Sequence, residues 1–220
     1  MSEIVIIDSG QLALSLRLPA LGMPEILSFG AEPVDADPLF EIERSSRVNG
    51  MDVAVPSNVL LPTGGMGFFG WPAIAGHRGG RDFVAQFGGW TVIRDGNQTV
   101  LKAVDSVARL GIAITLTAHN SGLISMATEL RNLGDADYQL DRCMAATFLA
   151  PAGDLQVMSF TGIWGREFQT RRELLGNGAW IQENRRGRTS HDRFPMLFIE
   201  SEAQIFGVTL GFSGNHQMVI

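Results

Sequence analysis

The fold is decided by a stretch that reads WTVIRDGNQTVLKAV over residues 90–104. Two runs rich in β-branched and aromatic residues, Trp90–Arg94 and Gln98–Val104, flank the turn residues Asp95-Gly96-Asn97. Asp-Gly pairs accept the positive φ angles of a tight hairpin, so the pattern predicts two antiparallel strands. No segment of ten or more residues carries an apolar stripe at helical spacing.

The same period of two recurs along most of the chain, as in Leu12, Leu14, Leu16 and Leu18, which fall on one face of a strand. Further strands are predicted at 4–7, 11–18, 25–29, 83–87, 107–119, 124–131, 138–149, 155–160, 180–183, 195–199, 204–212 and 216–220. Many short strands with little helix predict a single domain over residues 1–220, an all-β fold that is a large antiparallel β-sandwich.

Composition excludes several classes of protein. The chain is 45 % hydrophobic, which excludes intrinsic disorder, and its net charge of −6 without basic tails makes it a poor nucleic-acid binder. A single cysteine, Cys143, leaves no disulfide framework and favours a reducing, cytoplasmic location. No apolar stretch approaches the length of a membrane span, so no membrane partner is expected.

Two cofactor patterns fail on their context. The glycines Gly65, Gly67 and Gly70 match a dinucleotide fingerprint by spacing, but Pro62 precedes them and Trp71-Pro72 follows, where a strand and a helix are required. The four histidines share no ligand spacing. We therefore expect neither a cofactor nor a metal ion.

The best candidate site begins at Trp164, just before the arginine-rich region 166–193. Trp164 stands between glycines and next to Arg166 and Glu167, which offers the aromatic platform and planar polar groups that sugar sites need. The alternative is that the tryptophan packs in the core. The polar run Arg185–Pro195 could equally cradle a ligand or lock two hairpins together.

Three motifs occur in order near the end of the chain: WGRE at 164–167, RGRTSH at 186–191 and FSGN at 212–215. Together they resemble the N-terminal domain of glycoside hydrolase family 36 α-galactosidases. The resemblance implies a galactose-mutarotase-like β-supersandwich and a (β/α)₈ barrel beyond residue 220, in enzymes that hydrolyse α-galactosides with retention. Two stretches depart from the family pattern. After the histidine the family usually has Asn-Pro-Phe, where this chain has Asp192-Arg193-Phe194, and at Met66–Ala73 Phe68 and Gly70 replace an aspartate and an arginine.

The resemblance also implies roles for particular residues. The family's two catalytic aspartates lie on the barrel, which takes about 250 residues, so the chain itself is expected to supply no catalytic residue. Trp164 is the expected aromatic platform and Arg166 its polar partner, with Arg188 and His191 as further substrate-binding residues. The implied partners are an α-galactoside or related oligosaccharide, the chain's own barrel and further copies in a homo-oligomer.

Two other functions stay open at this point. The chain could be a stand-alone carbohydrate-binding module without catalysis. It could also be a mutarotase-like epimerase, in which His191 would act as the acid and Glu167 as the base.

Overall fold

The computed structural model describes residues 3–33, 58–68, 70–151, 153–187 and 192–220. These residues form antiparallel strands and one 3-10 turn at Gly64–Met66, which confirms the all-β antiparallel class. The strands are β1 (Glu3–Asp8), β2 (Ala13–Leu18), β3 (Glu25–Gly30), β4 (Ile74–His77), β5 (Gly88–Asp95), β6 (Gln98–Asp105), β7 (Leu110–Ala118), β8 (Ile124–Asn132), β9 (Gln139–Cys143), β10 (Gln156–Ile163), β11 (Arg166–Leu174), β12 (Ile181–Asn184), β13 (Met196–Glu200), β14 (Ile205–Thr209) and β15 (His216–Val219).

The chain divides into two compact units, Met1–Leu149 and Ala150–Ile220. Each unit has its own sheets and its own apolar core. A single domain over residues 1–220 stays a prediction.

Unit 1 is built around two sheets, β1-β2-β3 and β5-β6-β7-β8, with β4 and β9 as a separate pair. Alternate residues of these strands, such as Leu14, Leu101 and Ile114, are fully buried in one shared cluster of apolar side chains. The predicted hairpin is confirmed, because Asp95 pairs with Gln98 across a turn in which Gly96 has a φ of 56°. All six residues of β2 are buried, so this central strand is covered on both faces, and the shared apolar cluster holds the unit together.

Unit 2 is built around a four-stranded sheet in the order β11-β10-β13-β14, and β12 pairs with β15. Its buried apolar cluster consists of Val157, Leu197 and Ile199, which share one face of the four-stranded sheet. The predicted strand at the end of the chain is confirmed as β15, and the Ile220 N–H donates to the Trp180 carbonyl at 3.0 Å.

The predicted strand at 83–87 is wrong. Its apolar residues are split between exposed Phe83 and buried Phe87, but its backbone does not join a ladder. The Gln86 N–H donates instead to the Asp105 carboxylate at 2.7 Å, and the Phe87 carbonyl accepts from the Gly22 N–H at 2.8 Å. Side-chain and isolated backbone partners satisfy this segment where a neighbouring strand would otherwise do so.

Other strand boundaries also differ from the prediction. The strands predicted at 138–149 and 204–212 are shorter in the structure, as β9 and β14. Strands β4 and β11 were not predicted, because β4 has only four residues and every residue of β11 is exposed. A strand without a buried face has no apolar alternation for a sequence pattern to detect.

Candidate functional site

The first motif forms the turn of the hairpin between β10 and β11. Ile163 pairs with Arg166, and Trp164 and Gly165 connect them, with Gly165 at a φ of 74°. The Gly165 N–H donates to the Glu167 side chain at 2.9 Å, which braces the turn. Trp164 is 87 % exposed at this tip, so the alternative that it packs in the core is wrong.

Gly162 shapes the hairpin from below the turn. The ladder between β10 and β11 is irregular between Thr161 and Ile163, and a Cβ at Gly162 would lie 2.5 Å from the Arg166 carbonyl oxygen. The same Cβ would lie 2.8 Å from the Glu167 Cα, so backbone atoms block any side chain here. This glycine therefore has a backbone role in holding Trp164 at the tip.

A cleft of about 360 Å³ lies beside the hairpin in unit 2. Arg166 lines this cleft, but Trp164 does not. The two predicted site residues therefore share one hairpin, with the indole at its tip and the guanidinium on the cleft. The lining residues are Thr161, Gly162, Ile163, Arg166, Gln169, Arg171, Asp192 and Arg193.

The described part of the second motif, Arg186 and Gly187, meets the third motif at one end of the β12–β15 pair. The Gly187 N–H donates to the Asn215 side-chain oxygen at 2.6 Å, and the Arg186 N–H donates to the Asn184 side-chain oxygen at 2.9 Å. Arg186 also forms an ion pair with Asp192 at 2.6 Å. These contacts give Arg186, Gly187 and Asn215 a structural role, which is the locking alternative for this part of the polar run.

Arg188 and His191, the other two predicted substrate-binding residues, lie outside the described residues. The pairing of His191 with Glu167 that an epimerase would need therefore stays a prediction. Earlier in the sequence, the Arg185 guanidinium hydrogen-bonds the Glu183 carboxylate at 2.8 Å and holds the pKa of the Glu183 carboxyl below its usual value.

An exposed aromatic–cation contact in unit 1 involves the stretch Met66–Ala73. The Arg142 guanidinium sits 4.8 Å from the ring centroid of Trp71, which is 42 % exposed. The Phe68 ring packs against Gly70, because a Cβ on Gly70 would lie only 2.4 Å from the nearest carbon of that ring. Sequence reasoning missed Arg142, because the residue lies on β9, far along the chain from Trp71, and no local pattern connects the two.

Arg171 and Arg193 are also cleft residues that sequence reasoning did not single out. Their signal was the excess of arginine over lysine in residues 166–193. Among the described residues, no group of three or more His, Cys, Asp or Glu side chains could hold a metal ion. That part of the chain also has no helix long and apolar enough to span a bilayer.

Residues 22–220 match the glycosyl hydrolase family 36 N-terminal domain. The chain belongs to this family. An "Alpha-galactosidase" of Escherichia coli is 36 % identical over 188 residues, which are 83 % of this chain and 26 % of that protein. The "Alpha-galactosidase AgaA" of Geobacillus stearothermophilus is 28 % identical over 124 residues, 52 % of this chain and 17 % of that protein.

Solved structures of family 36 enzymes share the fold. The α-galactosidase AgaA of Geobacillus stearothermophilus superimposes with a TM-score of 0.81 at 18 % identity, covering 99 % of this chain and 35 % of that one. The galactosidase domain of the α-galactosidase–sucrose kinase AgaSK gives a TM-score of 0.79 at 18 % identity, covering 98 % and 35 %. These likenesses confirm the fold predicted for the family 36 domain. The chain spans about a quarter of the Escherichia coli relative and about a third of the AgaA chain.

Proposed function

We propose that this family 36 domain is the N-terminal part of a retaining α-galactosidase, in which it supports a (β/α)₈ barrel and borders the sugar site. The observation that carries the proposal is the 36 % identity with the Escherichia coli α-galactosidase over most of this chain. The chain also spans only about a quarter of that relative, which leaves room in such proteins for a catalytic domain.

In this proposal the barrel carries the chemistry. A retaining glycosidase needs a nucleophilic carboxylate and an acid/base carboxylate about 5 Å apart. The domain contributes to binding instead, through side chains that a sugar can reach. Trp164 suits this role because its indole is 87 % exposed on a braced hairpin, and Arg166 offers a planar set of donors on the same hairpin.

The proposed substrate is an α-galactoside or a related oligosaccharide. A structure of an AgaA variant in complex with raffinose superimposes with a TM-score of 0.82, and one in complex with stachyose gives 0.80. We further propose a homo-oligomer in the cytoplasm. Cys143 is the single cysteine of the chain, so no intrachain disulfide can form, which suits a reducing compartment.

The test is the substitution Trp164→Ala in the protein encoded by the complete reading frame. We expect kcat/KM for raffinose to fall about tenfold, because a stacking contact of about 1.4 kcal/mol is lost. The value for a p-nitrophenyl α-galactoside should change by less than about threefold, since that substrate is too short to reach a bordering residue.

The matched control is Leu174→Ala. Leu174 is 78 % exposed at the other end of β11, so this change removes a large apolar side chain from the same hairpin, away from the tip. It should leave both kcat/KM values unchanged. Equal kcat/KM for raffinose in the Trp164→Ala protein and the unaltered protein would remove Trp164 from the sugar site, and no α-galactosidase activity at all would refute the proposed function.

A further inference from the structure

We propose that the cleft beside the β10–β11 hairpin binds a phosphate group, free or carried on a small molecule. This site goes beyond the proposed function and does not rest on it. The evidence is the set of three arginines that line the cleft without a counter-charge of their own: Arg166, Arg171 and Arg193.

The register of the sheet places the cleft on one face of unit 2. Thr161 pairs with Gln169 and Ser159 pairs with Arg171 across β10 and β11, so Thr161, Gln169 and Arg171 point to the same side. Arg172 follows Arg171 and points to the opposite side. The cleft is therefore lined by residues of the two hairpin strands together with Asp192 and Arg193, which come from a separate segment.

The three cleft arginines differ from the other arginines of unit 2. Arg172 pairs with Glu200 at 3.4 Å, Arg185 with Glu183 at 2.8 Å and Arg186 with Asp192 at 2.6 Å. Among the described residues, the guanidinium groups of Arg166, Arg171 and Arg193 have no ion pair. Arg193 is half-buried, and a partly desolvated cation without a counter-charge is unfavourable.

The charge of the cleft is therefore positive. Asp192 is the single acidic residue among its lining residues, and its carboxylate is already paired with Arg186, which lies outside the cleft. Three like charges that share one cleft repel each other, and a bound anion would relieve that repulsion. The chain as a whole has a net charge of −6, so this positive cleft is a local feature.

The chemistry of the donors selects the ligand. A guanidinium donates hydrogen bonds and cannot accept them, and its hydrogen bonds are strongest when the acceptor is an anion. A phosphate presents several acceptor oxygens in different directions, which suits three planar forks better than the two coplanar oxygens of one carboxylate. A volume of about 360 Å³ is large enough for a small phosphorylated molecule.

The experiment is calorimetric titration of the intact protein that contains this chain with inorganic phosphate, acetate and galactose. We expect phosphate to bind measurably and at least about tenfold tighter than either acetate or galactose. Arg171→Gln and Arg193→Gln should each weaken phosphate binding about tenfold, because each removes a charge-assisted hydrogen bond.

Arg172→Gln is the matched control. It lies next to Arg171 in sequence, removes the same charge and faces the other side of the sheet, so the phosphate affinity should stay within about twofold. An absence of phosphate binding, tighter binding of acetate, or equal losses in Arg171→Gln and Arg172→Gln would overturn the proposal. Circular dichroism confirms the fold of each variant, and Arg171 is exposed, so its loss should not unfold the chain.

Discussion

Arg78 in unit 1 and the three cleft arginines in unit 2 have opposite surroundings. In unit 1 the Arg78 side chain is 11 % exposed and hydrogen-bonds Asp82, the Asn132 side chain and the carbonyls of Ala108 and Arg109. In unit 2, Arg166, Arg171 and Arg193 line an open cleft, and no ion pair joins them to the described residues. The N–H donors of Arg78 form hydrogen bonds within the folded unit, whereas those of the three cleft arginines are available to a ligand.

The apolar cores of the two units also differ in size. Among the described residues, unit 1 has 22 buried apolar side chains in one cluster, and unit 2 has three. The shape of unit 2 therefore depends more on its backbone, through the irregular ladder at Gly162 and the hydrogen bond between Gly187 and Asn215. The unit with the larger core provides the stability, and the unit with the smaller core presents the exposed groups.

The largest expected effect is that of Arg78→Gln in unit 1. This change should lower the free energy of unfolding by about 3 kcal/mol, because it removes hydrogen bonds made by a buried cation and leaves their acceptors unsatisfied. Arg171→Gln in unit 2 is its counterpart and should change the same quantity by less than about 0.5 kcal/mol. Urea denaturation of both variants measures the difference, and similar losses would break the comparison between the two units.

An intermediate effect is expected from Gly162→Ala. A Cβ would lie 2.5 Å from the Arg166 carbonyl oxygen, so the hairpin must distort, at a cost of about 1–3 kcal/mol. Gly176→Ala is the control, since nothing lies within 4 Å of its Cβ position, and it should cost less than about 0.5 kcal/mol. Urea denaturation measures both, and a Gly162→Ala protein as stable as the control would show that the hairpin does not need this glycine.

The smallest effect concerns an exposed ion pair of unit 1. The Arg109 guanidinium lies 2.7 Å from the Asp135 carboxylate and holds the pKa of that carboxyl below its usual value. The pair thus favours the folded state above the unfolded pKa, and this contribution disappears as the pH falls through the folded pKa. Arg109→Gln should therefore be slightly less stable than the unaltered protein at pH 7, and the difference should vanish at strongly acidic pH.

Urea denaturation at the two pH values checks this expectation, together with Arg81→Gln as a control of equal charge. Arg81 is exposed and has no side-chain ion pair among the described residues, so its replacement should show no such pH dependence. A difference for Arg109→Gln that grows on acidification would contradict the assignment of the pair.

Most of the fold follows from local patterns. The hairpin around Gly96 and the terminal strand β15 lie where alternation and turn residues predicted them. The predictions for the 83–87 segment and for β11 failed because a segment becomes a strand only when a neighbouring segment hydrogen-bonds to its backbone, which its own sequence pattern does not show. The 83–87 segment alternates like a strand but its backbone bonds to Asp105 and Gly22. Strand β11 has no buried alternation, yet it pairs with β10 over most of its length.

The candidate site was partly accessible to sequence reasoning. Trp164 and Arg166 were recognised because they lie close together in a motif that resembles the family. Arg193 could not be placed beside Arg171, because the two come from separate segments that meet only when β10 pairs with both β11 and β13. Arg142 over Trp71 was out of reach for the same reason.

The amino-acid sequence by itself determined the all-β class, the turns and the membership of the family 36 domain, because alternation, turn residues and short motifs are local properties. Only the tertiary structure decided which guanidinium groups are hydrogen-bonded within the fold and which are available to a ligand. That distinction depends on whether a carboxylate or carbonyl from a distant strand reaches each guanidinium. Arg78 and Arg171 are the same residue type in the same chain. Arg78 hydrogen-bonds groups of its own unit, whereas Arg171 lines an open cleft, because different residues surround the two side chains.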